Sequence, residues 1–241
     1  MTWSLLARDA SGAFGVAIAS RFFAVGALCP HARSGVGALA TQALVNPLYG
    51  PPGLDMLARG MSAAEVVRSL TAADAGRDHR QLHVVDTGGA TAAHTGSACI
   101  DWCGHLAGDG WSLAGNMLAG PQVLDDTAAA YERSTALPVA ERLLAALDAG
   151  DAAGGDKRGK QAAALLIVTT EPYPFLTLRV DDHPEPFLEL RRLYRKSLER
   201  FQPFAACLPR RADPVGTTDR AAIEREIERF TARRLGRPEP T

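Results

Sequence analysis

Met1-Thr2-Trp3-Ser4-Leu5-Leu6-Ala7-Arg8 and, after Gly12, Phe14-Gly15-Val16-Ala17-Ile18-Ala19-Ser20 are the two runs on which the reading of the fold turns. Phe14, Val16 and Ile18 alternate along the second run, the period of a strand with one face toward a core. Gly12 stands where a tight return needs positive φ, so Thr2–Arg8 and Phe14–Ser20 are expected to form a β-hairpin. Thr2 heads the first strand. With so small a residue in second place, Met1 is expected to be trimmed, leaving Thr2 with a hydroxyl and a free α-amine. Such an amine titrates at roughly 7.7–8.0, near the value wanted of a general base at neutral pH. An adjacent N-terminal amine is one recognised way to activate a threonine hydroxyl. Small residues after Met1 are common and mostly mean nothing, so the rest of the chain has to decide.

Outward from the hairpin, Gly35–Gln42 is a strand candidate built of small residues. Leu82–Asp86 and Thr91–Thr95, joined through Thr87-Gly88-Gly89, read as a second hairpin. Trp111–Asn116 and the continuous apolar run Ala162–Thr169 add two strands, the latter suited to cover on both faces. Helices separate them. Ser62 and Glu65 form a capping-box pattern ahead of Val66, Val67 and Leu70, and Pro121 opens a helix through about Arg133. Leu137, Ala140, Leu144 and Leu147 keep helical spacing until Gly150, read as the stop. Phe187, Leu190 and Tyr194 follow the start signal Asp182-His183-Pro184. Strand pairs alternating with helix pairs favour an α/β architecture with helices outside the sheets. After Leu198 the chain is broken by Pro203, Pro209 and Pro214. It resumes over Asp219–Leu235 as an amphipathic helix with Ile223, Ile227 and Phe230 on one stripe, suited to a surface or a dimer contact. The expected organisation is one domain over residues 1–200, then a proline-broken linker and helix over 201–241, in a homo-oligomer.

Composition narrows the function classes. The 241 residues are 46% hydrophobic and 22% charged, with net charge −1. That supports a sizeable core and no disorder, and gives no field for nucleic acid or an acidic membrane. No run of about 18 apolar residues spans a membrane, and no signal-peptide pattern opens the chain. Four cysteines without a secretory signal read as free thiols in the cytoplasm.

The ordered motifs Ala19-Ser20-Arg21-Phe22-Phe23-Ala24-Val25-Gly26, Ala40-Thr41-Gln42, Asn46-Pro47-Leu48-Tyr49-Gly50-Pro51, His94-Thr95-Gly96-Ser97-Ala98-Cys99, Gly115-Asn116-Met117-Leu118-Ala119-Gly120-Pro121, Gly154-Gly155-Asp156-Lys157-Arg158-Gly159 and Arg179-Val180-Asp181-Asp182-His183-Pro184 carry a resemblance. With Thr2 on the first strand, the chain resembles the N-terminal-nucleophile hydrolases, and more closely a bacterial family catalogued as domain of unknown function 1028. The resemblance covers roughly residues 1–195 and implies a four-layer αββα sandwich. It hands over no settled reaction. The chain departs from the threonine-type enzymes of the proteasome branch, which carry a lysine on the third strand. Here the basic residue near that stretch is Arg33, and arginine stays charged, so the α-amine of Thr2 is the better base.

The candidate catalytic residues are then Thr2, Ser20 at the end of the second strand, and Asn116 as a donor to the oxyanion of a tetrahedral intermediate. Arg21, Gln42, Asn46, Asp156 and Lys157 are candidates for holding a small, carboxylate-bearing substrate, Arg21 being the best placed of the cations. The activity expected is hydrolysis of an amide, imine or related C–N bond. Two alternatives stand beside it: a binding protein of the same shape without turnover, and a metal-dependent enzyme using Cys99, Cys103 and His105, with His94 nearby. Structural zinc prefers tighter paired spacings than these, so no metal is expected. Gly35, Gly37 and Ala40 formally satisfy G-x-G-x-x-A with Asp55 at the expected distance. However, Pro30-His31-Ala32-Arg33 precedes them where a buried strand belongs, and Asp55 falls in a helical stretch, so no dinucleotide or other cofactor is expected.

Overall fold

The computed structural model describes residues 2–238. Along the chain run β1 (Thr2–Arg8), β2 (Phe14–Ser20), α1 (Val25–Leu28), β3 (Pro30–Arg33), β4 (Gly37–Ala43), α2 (Gly50–Ala58), α3 (Ala63–Ala72), β5 (Arg80–Asp86), β6 (Thr91–Thr95), β7 (Trp102–Gly108), β8 (Trp111–Leu118), α4 (Gln122–Arg133), α5 (Val139–Ala152), β9 (Ala162–Val168), β10 (Leu176–Val180), α6 (Pro186–Ser197), α7 (Phe201–Ala205) and α8 (Arg220–Arg234). Both expected hairpins form, and one device closes them. Asp9 accepts from the backbone N–H of Ser11 and Ala13 at 2.9 and 3.0 Å, with Gly12 at φ 84°. Asp86 accepts from Gly88 and Ala90 at 2.9 and 3.0 Å, with Gly89 at φ 87°. A short carboxylate that satisfies the turn's own N–H groups, followed by glycine in the left-handed region, fixes the register of each pair.

Six strands pair antiparallel in the order β10-β9-β2-β1-β8-β7, and four in the order β3-β4-β5-β6. Period-two alternation on β1 decides what each face meets. Leu6 packs with Ala38, Ala40 and Val85 of the smaller sheet, and Ser4 bonds Gln42 and His83 there. Trp3 points the other way and stacks on Phe187 with ring centroids 5.8 Å apart. Helices α4 and α5 cover β7, β8, β2 and β9, while α2 and α3 cover β3, β4, β5 and β6. The architecture is a four-layer αββα sandwich. Among the described residues no helix is long and apolar enough to cross a membrane.

Several boundaries differ from the sequence reading. Gly150 does not stop α5, which runs on to Ala152. A Cβ at 150 would lie 2.4 Å from Thr127 Oγ1 and 2.8 Å from Trp3 Nε1, so the glycine lets α5 close onto α4 and β1. Pro30–Arg33, which the sequence reading denied a buried strand, is the half-buried edge strand β3. An edge tolerates proline because one row of its N–H groups faces no partner. The G-x-G-x-x-A run still leads into β4 and not into a helix. Strands β7 and β10 are also edges that the alternation did not announce.

The chain divides into two compact units, 1–190 and 191–241. The division falls inside α6, earlier than a break after residue 200. Phe187 and Leu190 are buried in the first unit. In the second, α8 is N-capped by the Asp219 carboxylate, which accepts from Ala221 N–H at 2.9 Å.

Candidate active site

Antiparallel register places Thr2 between Ser20 on β2 and Asn116 on β8. Thr2 is 5% exposed, and its Oγ1 lies 3.0 Å from Ser20 Oγ. The Thr2 carbonyl accepts from Gln42 Nε2 at 3.3 Å and from Asn116 Nδ2 at 3.4 Å. Each of those amides gives its other proton to Gln81 Oε1, at 3.0 and 2.9 Å. Gln81 in turn donates to the Gly115 carbonyl at 2.7 Å. Three buried amides thus clamp one end of β1 between the two sheets, and buried amides are stable there only when so paired.

The network continues inward. Ser4 Oγ donates to Gln42 Oε1 at 2.7 Å and lies 2.8 Å from His83 Nε2. A hydroxyl has one proton; since Gln42 receives it, His83 Nε2 must donate to Ser4. His83 Nδ1 is then the acceptor for Ser112 Oγ, 3.1 Å away. The ring is neutral in this role. Burial, with His105 nearby, pushes its pKa down to about 3.

A cavity of about 400 Å³ opens beside Thr2, lined also by Phe22, Val25, Cys29, Gln42, Ala43, Leu44, Val45 and Arg80. Cys29 is no rival nucleophile, because burial pushes its thiol up to about 12. Backbone strain gathers here as well. Among the described residues Ala24, Ala43, Asp101 and Met117 are the non-glycine residues with positive φ. Ala43 lines the cavity at φ 70°, Ala24 precedes its wall residue Val25, and Met117 follows Asn116. Left-handed geometry costs an alanine roughly 1–2 kcal/mol, and strain of this kind concentrates at functional sites.

Of the residues read from sequence, Thr2, Ser20, Gln42 and Asn116 come together. Both amide protons of Asn116 are engaged, with the Thr2 carbonyl and with Gln81 Oε1. Arg21 lines a separate cavity of about 430 Å³ with Lys160, Gln161, Asp182 and His183. Its Nη1 donates to the Arg158 carbonyl at 2.9 Å. Asp156 is buried as scaffold, accepting from the backbone of Arg21 at 2.9 Å and of Arg158 at 2.8 Å. Lys157 pairs with Asp101 at 2.6 Å. Asn46 caps the turn at Pro47–Tyr49 through Leu48 N–H and donates to Asp74 at 3.1 Å. Arg33 pairs with Asp55 at 2.9 Å. Cys99 and Cys103 donate to the carbonyls of Arg80 and Cys99, and His105 bonds Thr95. Among the described residues no group of three or more His, Cys, Asp or Glu is arranged to hold a metal.

The sequence reading missed Arg80. It opens β5 directly before Gln81 and lines the Thr2 cavity. A basic residue beginning an otherwise buried strand was the signal available.

A family of unknown function, DUF1028, matches residues 2–190. The chain belongs to the DUF1028 family. A DUF1028 crystal structure from Silicibacter pomeroyi is 33% identical and superposes with a TM-score of 0.83, covering 90% of this chain and 99% of its own. The match ends at residue 190, where the first compact unit ends. The Anbu ancestral beta-subunit from Yersinia bercovieri is 16% identical with a TM-score of 0.38, over 81% of this chain and 94% of its own. That likeness is too low to bear on fold or chemistry. No curated protein matches the chain.

Proposed function

We propose that this DUF1028 protein is a hydrolase that cleaves a C–N bond of a small molecule, with Thr2 as an N-terminal nucleophile once the residue before it is removed. The observation that carries the reading is the Thr2 hydroxyl, 3.0 Å from Ser20 Oγ, held beside a cavity by a carbonyl clamped between Gln42 and Asn116. A nucleophile held in one geometry gains from orientation, which lowers the barrier independently of acid–base help.

In the first half-reaction the Thr2 Oγ1 proton passes to the freed α-amine while Oγ1 attacks the substrate carbonyl carbon. The tetrahedral intermediate collapses by breaking the C–N bond, and the ammonium returns the proton to the departing nitrogen. In the second half a water gives a proton to the same amine and attacks the Thr2 ester. Collapse releases the carboxylic acid and restores the hydroxyl. The Ser20 hydroxyl, within bonding distance of Oγ1, orients the nucleophile. Gln42, Asn116 and Gln81 hold the strand end still through both halves.

A turnover screen over small amides and enamines tests this, with intact mass recorded beside activity. Thr2→Ala is expected to remove turnover with the fold retained, and Thr2→Ser to keep part of it. One extra residue ahead of Thr2 converts the base into an amide nitrogen and is expected to abolish activity at every pH. In the trimmed enzyme kcat/KM rises with pH through the range of free α-amines, roughly 7.7–8.0. Full turnover by Thr2→Ala, or by the extended protein, would overturn the reading.

A further inference from the structure

We infer that the cavity beside Thr2 takes a molecule with a compact apolar body and a carboxylate, and that Arg80 holds the carboxylate. Calling that molecule a substrate rests on the hydrolase reading; its binding does not.

The lining sets the body. Phe22, Val25, Cys29, Ala43, Leu44 and Val45 give an apolar wall, and about 400 Å³ is the volume of a small-molecule site. Among the described lining residues Arg80 alone carries a charge, so no carboxylate within the cavity answers it. Its side chain is 23% exposed. A guanidinium has five N–H groups. Arg80 Nε donates to Asp74 Oδ2 at 3.2 Å, and one Nη1 N–H goes to the Leu44 carbonyl. The others have no partner among the described residues.

Asp74 does not use up the cation. Its carboxylate also accepts from Tyr49 Oη at 2.7 Å, Asn46 Nδ2 at 3.1 Å and Gly76 N–H at 2.7 Å, and it stands outside the cavity lining. These bonds place the guanidinium and leave the rest of its planar fork for a ligand, the geometry that matches a carboxylate. A Cβ at Gly76 would lie 2.9 Å from Arg80 Nη2, so the glycine lets the guanidinium settle against the turn that carries Asp74. Register sets the reach. Ala43 opposes Arg80 and Gln42 opposes Gln81, so the cation sits one residue along from the register pair that contains Gln42, a donor to the Thr2 carbonyl. Arg21, in its own cavity with Asp182, is not placed to share this task.

The test is binding without turnover, in the Thr2→Ala background, by titration calorimetry. The probes are two matched pairs: phenylacetate with phenylacetamide, and hexanoate with hexanamide. Each carboxylate is expected to bind about tenfold tighter than its amide, the worth of a hydrogen-bonded charge pair. Arg80→Gln erases that preference, Arg80→Lys keeps part of it in a salt-sensitive form, and Arg21→Gln leaves it intact. Equal binding of acid and amide, a preference that survives Arg80→Gln, or no binding by any probe overturns the inference. If Arg80→Gln loses amide binding too, Arg80→Lys decides, and no acid preference in that variant also overturns it. Failure here leaves the Thr2→Ala turnover result untouched, so the two readings fall separately.

Discussion

At the scale of single residues, the site is a set of strained and saturated groups. Ala43 holds φ 70° where β4 leaves the sheet and the cavity wall begins. Glycine adopts that conformation without a Cβ penalty. Ala43→Gly is therefore expected to raise unfolding free energy by about 0.5–1 kcal/mol, measured by urea denaturation. A loss of stability of that size would show that the Ala43 methyl contributes more by packing than its backbone loses. The three amides Gln42, Gln81 and Asn116 show the other side of residue-scale logic. Gln42 was legible as a polar group in a small-residue segment and Asn116 as the end of a strand, whereas Gln81 lay just ahead of the expected strand Leu82–Asp86 and drew no reading. That Gln42 and Asn116 converge on the Thr2 carbonyl and share Gln81 Oε1 was not legible, because the three come from β4, β8 and β5.

At the scale of elements, the interior strands declared themselves, and of the edges only β6 did, through its hairpin with β5. β1, β2, β4, β5, β8 and β9 carry alternation or continuous apolar runs because both neighbours demand it. β3, β7 and β10 lie at sheet edges, where one side has no strand partner and the pattern relaxes to Pro-His-Ala-Arg or Trp-Cys-Gly-His. Cys103 and His105 looked like a ligand pair because the strand that carries them went unread. Gly150 was misread for a related reason. A glycine near a helix end signals termination, but here it is buried where α5 meets Thr127 and Trp3. A mid-helix Gly→Ala change ordinarily stabilises by about 1 kcal/mol. Gly150→Ala is instead expected to destabilise by about 1–3 kcal/mol, from overpacking. A thermal melt above wild type would refute the contact.

At the scale of the whole molecule, the polar layer between the sheets makes stability depend on pH. His83 is fully buried and neutral, with its pKa down to about 3 against an ordinary value near 6.5. Its folded pKa is depressed, so its contribution is complete above pH 6.5. As pH falls from 6.5 toward 3, the unfolded chain gains a proton that the folded ring refuses, and stability declines. His31 and His105 are also lowered by burial and act in the same direction. Between pH 6.5 and 4.5, His83→Gln is expected to flatten the dependence by about one proton, or about 1.4 kcal/mol per pH unit. Denaturant titrations of both proteins across that window measure the difference. Identical slopes would mean the buried ring is protonated in the fold.

The sandwich architecture came as what the family resemblance implied, while the sequence by itself determined the hairpin of β1 and β2, the capping box of α3 and the place of Thr2 at a strand end. These are local matters: periodicity, turn chemistry and caps are written within a few residues of each other. Only the tertiary structure decided the partners. It brought Ser20, Gln42 and Asn116 to Thr2, sent Arg21, Asn46, Asp156 and Lys157 to other tasks, and put Arg80 in the cavity. A side chain's role depends on which donors and acceptors remain unclaimed after the sheets pack, and that is settled by contacts between segments far apart in the chain.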